Sequence, residues 1–516
     1  MRTKSILAIC ILFIAGLTLS FVKDNIWGSK FLTVNKDGSI TYFPDEKGNI
    51  IPDFSLVGYH HGLKEIPKVN IVKTIQPISG DAGKLIQTAI DEVSNMPLGA
   101  NGLRGAILLK KGAYSIAGTL SIKTDGIVLK GEGNTADGTK LIAAGKGLRS
   151  LITIGGKGRI TEAGNRVKIT DKNVPAGAKS FQVSSSKDFK VGDKIIVYRP
   201  GTENWIHDLQ MDRIVARDGT KQWKGEDYNL SFERAITAIN GNKITIDNPV
   251  VMAMEEQYGG GEIFKYEYKG RLKEVGIENI LFESEYAHDT DEDHGWVAVA
   301  FNHIENGWVD QVTSRFFGYS CVSLGNGAKN ITVKNSKCFD AKSVITGGKR
   351  YSFNNDGQQN LFMNLETTEG RHDYVTGAKT CGPNVFYNCK ARKTHADIGP
   401  HHRWASGTLY DNIDTDGEIN IQDRGNWGSG HGWAGVTQVV WNCKVKGAAI
   451  QNPWVSGKNY AVGVQGQKLK GRLEGKPDGE WEGMNKTDLQ PASLYQAQVK
   501  AARLAGQNRD SPLRLH

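Results

Sequence analysis

At 516 residues, with 39% hydrophobic and 23% charged side chains, the chain has room for a large core and the composition of a folded globular protein, which excludes a disordered or many-span membrane protein. Glycine is frequent (62 residues) and proline scarce (14), a balance that suits many tight turns. The formal net charge of +9 makes an anionic partner worth seeking.

At the N-terminus, Arg2 and Lys4 precede an unbroken apolar run from Ile6 to Val22, and Thr18-Leu19-Ser20 offers a small-x-small cleavage site. This pattern predicts a secretory signal peptide over 1–20 and a secreted or periplasmic protein that is off the membrane once the signal is removed. The run is also just long enough to remain as an uncleaved anchor. Cys10 lies early in the run, which argues against a lipoprotein site. The other cysteines, at 321, 338, 381, 389 and 443, are odd in number and show no CxxC spacing, so neither a zinc site nor a full disulfide framework is expected. They read as small buried hydrophobes.

Residues 21–60 form an N-terminal extension with the hairpin-like stretch "NKDGSITYFPDEKGN". In "AGKLIQTAIDEV" (82–93), Leu85, Ile86, Ala89, Ile90 and Val93 share one helical face. From Gly105 the pattern becomes short β runs separated by glycine, "GAILLKKGAYSIAGTLSIKTDGIVLKGEGN".

The series "IQTAID", "GAILLKKGAYSI", "GTLSI", "GIVLKGEG" and "GTKLIAAG" resembles the opening of pectate-lyase-like right-handed parallel β-helix proteins. It departs from them where "GYHHGLKEIP" replaces the usual acidic stretch before the helix. The resemblance implies an all-β, right-handed, single-stranded parallel β-helix with an N-terminal capping helix, whose first coils occupy 61–164. That superfamily holds lyases, hydrolases, epimerases and tailspikes, so it constrains fold more than chemistry.

Residues 165–255 break the rhythm with "FQVSSSKDFKVGDKIIVYRPG" and "ITAINGNKITIDNPVVM", which predict a β-hairpin insertion. The main coils, 256–466, then repeat an asparagine after apolar residues: Asn335, Asn364, Asn388, Asn412 and Asn442, at spacings of 29, 24, 24 and 30. That regularity predicts stacked amides, with Leu365, Cys389, Ile413 and Cys443 forming one interior column. The tail, 467–516, ends in the helical "PASLYQAQVKAARLAG", expected to cover the last coil or pack on the side of the solenoid.

"GPHHRWASG" (399–407) concentrates basic and aromatic groups, and its neighbours repeat the form. "HDYVTG" begins at His372, "HRWASG" at His402 and "HGWAGV" at His431, at spacings of 30 and 29. Strand parity places the small residues inside, and so His372, His402 and His431 with Tyr374, Trp404 and Trp433 on the exposed side. Arg371, Lys393, His395, His401, Arg403 and Arg424 lie in the same coils. Such a strip suits an acidic polysaccharide, with sugar rings on aromatics and carboxylate or sulfate on cations.

The chemistry expected is β-elimination. Arg403 would neutralise the uronate carboxylate, His402 would act as base, and Tyr374 or His372 as acid. His431, His401, Trp404, Trp433, Arg371, Arg424, Lys393 and His395 would position substrate. Hydrolysis is the alternative and would draw on Asp373, Asp397, Asp414, Asp416 and Asp423; a non-catalytic binder is another. No cofactor is required, although Asp289, Asp291 and Asp293 in "HDTDEDH" suggest a Ca²⁺ site. No nucleic-acid module is present, and a monomer is expected.

Overall fold

A computed structural model describes residues 26–510, so the expected signal segment and Cys10 lie outside the described residues. Within them, no helix is long and apolar enough to cross a membrane.

The chain winds into a parallel β-helix whose coils contribute one short strand to each of three faces. One coil runs Thr332–Lys334, Lys337–Phe339, Phe353–Asn355, and the next runs Leu361–Met363, Glu366–Thr368, Tyr374–Thr376. Each strand pairs in parallel with its equivalent one coil on, as Phe353 does with Tyr374 and Val333 with Phe362. This stacking buries a continuous interior from Ile75 to Val464. Within it, Phe362, Phe386 and Tyr410 stack at ring-centroid separations of 4.7 and 5.5 Å.

The recurring asparagines turn the first face into the second. Asn335, Asn364, Asn388, Asn412 and Asn442 all have left-handed backbone, φ between 50° and 56°. Asparagine tolerates that region better than other side-chain-bearing residues. The Asn388 amide donates to Asn364 (2.7 Å), Asn364 to Asn335 (3.1 Å) and Asn335 to Asp310 (2.9 Å). The ladder breaks before Asn412, whose amide donates to Asp411, and resumes with Asn442 donating to Asn412 at 3.2 Å. Leu365, Cys389, Ile413 and Cys443 follow into the interior, each at most 1% exposed, and all five described cysteines are free and buried. Replacing Asn364 by Ala is expected to cost about 1–2 kcal/mol, from the lost amide bonds and the left-handed backbone, read as a lower denaturant midpoint.

Helix α1 (Gly83–Ser94) closes the N-terminal end, burying Ile86, Ala89, Ile90 and Val93 against the first coils, with Leu85 partly buried beside them. The helix pauses after Arg149–Gly155 for an insertion. Its six-stranded antiparallel sheet begins at Thr161–Lys168 and ends at Glu262–Glu267. Gly276–Ser284 then pairs with Ile127–Gly133 on one side and Trp308–Asp310 on the other, so winding resumes where it stopped.

The apolar face of the insertion, with Trp205 on the short helix α2 (Glu203–Asp208), packs against Trp404, Trp433 and Val436 of later coils. Helix α3 (Leu494–Asp510) lies on the side of the solenoid, its Leu494 and Tyr495 against Leu361, Val385 and Leu409. The N-terminal extension folds onto the same region. Leu32–Val34 and Ile40–Tyr42 form a hairpin, and Trp27–Gly28 pairs with Leu489–Gln490.

Candidate functional site

A cleft of about 730 Å³ brings together residues that lead into the third-face strands (Tyr351, Arg371, His372), Asp397 at the start of one of them, and residues that follow them (His401, His402, Arg403, Arg424, Trp427, Ser429 and His431). Its floor is a cluster of four histidines. Ring centroids lie 4.5 Å apart for His372 and His401, 5.1 Å for His401 with either His402 or His431, and 4.9 Å for His402 and His431. Tyr351 closes one side, 5.0 Å from His372 and 5.3 Å from His401. A cavity of about 790 Å³ between the N-terminal hairpin and α3 holds no comparable cluster of ionisable groups.

The corner that presents these groups is strained. Arg403 and Trp404 both have left-handed backbone (φ 52° and 65°), which for such residues costs about 1–2 kcal/mol each. The strain is held by bonds from the next coil: the Arg403 and Trp404 amides donate to the His431 (3.0 Å) and Trp433 (2.9 Å) carbonyls. The result splits neighbours that strand parity would alternate simply. Arg403 turns to the cleft, its guanidinium donating to Ser429 Oγ at 2.7 Å, while Trp404 turns under the insertion.

Burial and neighbouring cations keep all four histidines neutral. Burial pushes His372 down to about 4, with Arg371 and Arg424 adding to it against the pull of Asp397. His402 falls to about 4 through burial, then Arg403 and Arg424, and His431 to about 3 through burial, then His402 and Arg403. His401, at the centre of the cluster, is pushed well below the ordinary histidine value by burial first and then by His372 and Arg424.

His372 Nδ1 donates to the Asp397 carbonyl at 2.7 Å, which leaves the Nε2 lone pair free. Burial alone would raise the Asp397 carboxyl, yet the buried Arg424 paired with it, and then His372, hold it below the usual carboxylate range. His372 Nε2, the Nδ1 atoms of His401, His402 and His431, and Arg424 Nε are buried with no hydrogen-bond partner in the protein. Each such atom costs about 1–3 kcal/mol, so the cleft concentrates unmet capacity for a polar ligand. Three arginines face it against one carboxylate, Asp397.

Several sequence expectations require correction. Tyr374 is fully buried inside the helix and its hydroxyl donates to the Leu365 and Lys390 carbonyls, so it cannot protonate a ligand. Trp404 and Trp433 are also fully buried. Trp404 packs edge-on to Trp205 at 4.9 Å, and the Trp433 indole donates to the Leu209 carbonyl, so neither offers a face to a sugar. The three histidine motifs do not form one column: Val375 pairs with Gly399, which sets "HDYVTG" against "DIGP" instead of "HRWASG". Lys393 and His395 lie outside the cleft and turn to Glu369, at 3.7 and 2.7 Å.

The other four aspartates are committed elsewhere. Asp373 accepts from Ser352 in the interior, where burial raises it to about 6. Asp414 pairs with Arg392, Asp416 accepts from the Lys393 and Thr394 amides, and Asp423 pairs with Lys476.

The suggested Ca²⁺ ligands do not converge either. Asp289 pairs with Lys342, Asp291 accepts from the Ala287 and Asp293 amides, and Asp293 accepts from the Gly147 amide. Among the described residues no group of three or more His, Cys, Asp or Glu side chains is arranged to hold a metal ion. Tyr351, which sequence reasoning missed, had a signal: Arg350-Tyr351 precedes Phe353 as Arg371-His372 precedes Tyr374, and Phe353 pairs with Tyr374.

No family model and no curated protein matches the chain. Among solved structures, it is similar to the Gp54 tailspike of Acinetobacter baumannii bacteriophage AP22, a complex with capsular saccharide, at 10% identity over 80% of this chain and 74% of that one, TM-score 0.27. It is also similar to the tailspike gp61 of Pseudomonas phage phi297, at 12% identity over 77% and 72%, TM-score 0.33. A third is the catalytic domain of a GH87 alpha-1,3-glucanase in complex with nigerose, at 10% identity over 83% and 68%, TM-score 0.32.

Proposed function

We propose that the protein binds an acidic polysaccharide in the histidine cleft and cleaves it by β-elimination at a uronate. The observation that carries this reading is the pairing of three arginines with neutral histidines around unpartnered buried nitrogens. In the step proposed, Arg403 and Arg371 face the uronate carboxylate and so acidify its C5 proton. His402, kept unprotonated at neutral pH, takes that proton. The electron pair forms the C4–C5 double bond as the C4–O4 bond breaks, and the Tyr351 hydroxyl gives its proton to the departing oxygen. Burial raises the Tyr351 hydroxyl above its ordinary value, so the proton is present to be given. Tyr351 takes the place first assigned to Tyr374, and His372 serves to position its neighbours, being only 2% exposed.

Hydrolysis needs two carboxyl groups flanking the bond. The cleft presents one, Asp397, already paired with Arg424. Elimination therefore uses the groups that face the ligand, and hydrolysis would need groups that do not.

The test is to incubate the purified protein with pectate, alginate and glycosaminoglycans while recording the ultraviolet absorbance of an unsaturated uronate. A rise that falls about 10²–10⁴-fold in His402→Ala, with binding retained, is the expected result for loss of a general base. New reducing ends without that absorbance would overturn elimination. Binding with neither product would overturn catalysis.

A further inference from the structure

The cleft does not end at Tyr351. On the third face, Val297 pairs with Ser320, Val322 with Phe353, and Phe353 with Tyr374. This register sets Trp296 opposite Tyr319 and Tyr351 opposite His372, with Tyr351 one residue along from the position opposite Tyr319, all four at the starts of successive strands. Trp296 and Tyr319 have ring centroids 6.5 Å apart with planes 11° from parallel, and Tyr319 and Tyr351 are 5.1 Å apart at 31°. The row leads without a gap into the histidine cluster.

Core packing does not account for these rings. Ala298, Val299, Cys321, Val322 and Phe353 fill the interior at this level, while Trp296, Tyr319 and Tyr351 belong to none of the buried hydrophobic clusters. Trp296 and Tyr319 are half-buried.

The first ring has a built seat. A Cβ on Gly318 would lie 2.3 Å from the Trp296 ring, so only glycine lets the indole settle there. The strand start beside it is fixed by buried His294, whose Nε2 bonds the Lys342 carbonyl at 2.8 Å and whose Nδ1 meets Ser284 Oγ at 2.9 Å.

We propose that Trp296, Tyr319 and Tyr351 form an aromatic track that seats successive sugar rings of a polysaccharide running along the helix axis into the histidine cleft. The proposal rests on the acidic-polysaccharide reading above and deepens it. Coils repeat about every 4.8 Å, so ring after ring of protein meets ring after ring of sugar. Aromatic faces attract the apolar faces of sugars, and the half-burial of Trp296 and Tyr319 holds those rings in place without removing them from solvent, while Tyr351, 8% exposed, forms the wall where the track meets the cleft. The track lies on one side of the cleft, and a ligand must be long enough to span both to use it.

The test measures binding of size-fractionated oligogalacturonates, oligoalginates and hyaluronan fragments, from disaccharide to octasaccharide, to wild type, Trp296→Ala and Trp296→Phe. For the series that wild type binds, Trp296→Ala is expected to weaken the octasaccharide about three- to tenfold while leaving the disaccharide unchanged, with Trp296→Phe recovering most of the loss. Unaltered octasaccharide affinity, or an equal loss at every length, would overturn the track alone. Failure of wild type to bind any series would overturn the acidic-polysaccharide reading with it. Gly318→Ala, which unseats the indole without deleting it, should reproduce the length-dependent loss even if Trp296→Ala proves too unstable to assay.

Discussion

Acidification from pH 6.5 to about 4 is expected to lower the melting temperature steeply, because the cleft histidines are neutral when folded and charged when unfolded. The unfolded chain takes up protons as the pH passes its ordinary histidine value, whereas the folded cluster refuses them until near 4. Stability is therefore fully present above the unfolded value and drains away below it. Of the charged groups facing the cluster, Arg371, Arg403 and Arg424 oppose protonation, and Asp397 favours it. His401→Phe, which removes one titrating ring and keeps an aromatic beside Tyr351, should flatten the curve.

The same displacement sets the acid limb of activity. A base with an ordinary histidine value loses roughly tenfold one unit below it, but His402 should hold its rate to near pH 4. Arg403→Gln should move that limb upward as it lowers the rate. Melting curves that ignore pH in this interval would show that the histidines titrate normally.

Substituting Glu233 by Gln is expected to cost about 3–5 kcal/mol, since it strands buried cations instead of dismantling a surface pair. Glu233 is 1% exposed and accepts from Arg271 at 2.6 and 3.0 Å and from the Tyr266 hydroxyl at 2.5 Å, with Lys329 3.5 Å away. Arg271 and Lys329 are themselves buried and belong to the helix, while Glu233 belongs to the insertion. Chemical denaturation of the variant should show a lower midpoint, or the insertion unfolding ahead of the helix. Glu233→Leu combined with Arg271→Met should recover much of the loss. Burial works against the Glu233 carboxylate, but Lys329 and Arg271 outweigh it and hold it at about 2. Its contribution is thus lost only as the pH falls from the ordinary value near 4.5 toward 2, so the loss begins where the histidine interval is ending.

The elements legible in advance were those whose physics is local and repeated. Asparagine recurs because the corner between the first and second faces is left-handed in these coils, and α1 announces itself through a 3.6-residue face. The cleft was legible as a concentration of His and Arg, but its members were misaligned because neighbouring coils differ in length. Counting 30 residues from His372 to His402 overshoots the coil between them, in which Val375 pairs with Gly399, 24 residues on, so that His372 lies level with Ala396. Tyr374 was misplaced by parity, which fails where the strand starts bend. Trp404 and Trp433 carry no local sign of burial, because what covers them is contributed by residues such as Trp205 and Leu209, far away in sequence.

That remote cover sets a timetable for biogenesis. The Trp205 indole donates to Ser456, 251 residues later in the chain. At ordinary rates of synthesis the insertion emerges roughly 10–50 s before the surface it closes on exists. During that interval Trp205 and Trp223 have their neighbours within the insertion, such as Tyr228, but lack Trp404, Trp433 and Val436. The histidine cleft, built from residues that follow the insertion in the chain, is completed only after the whole insertion has been made.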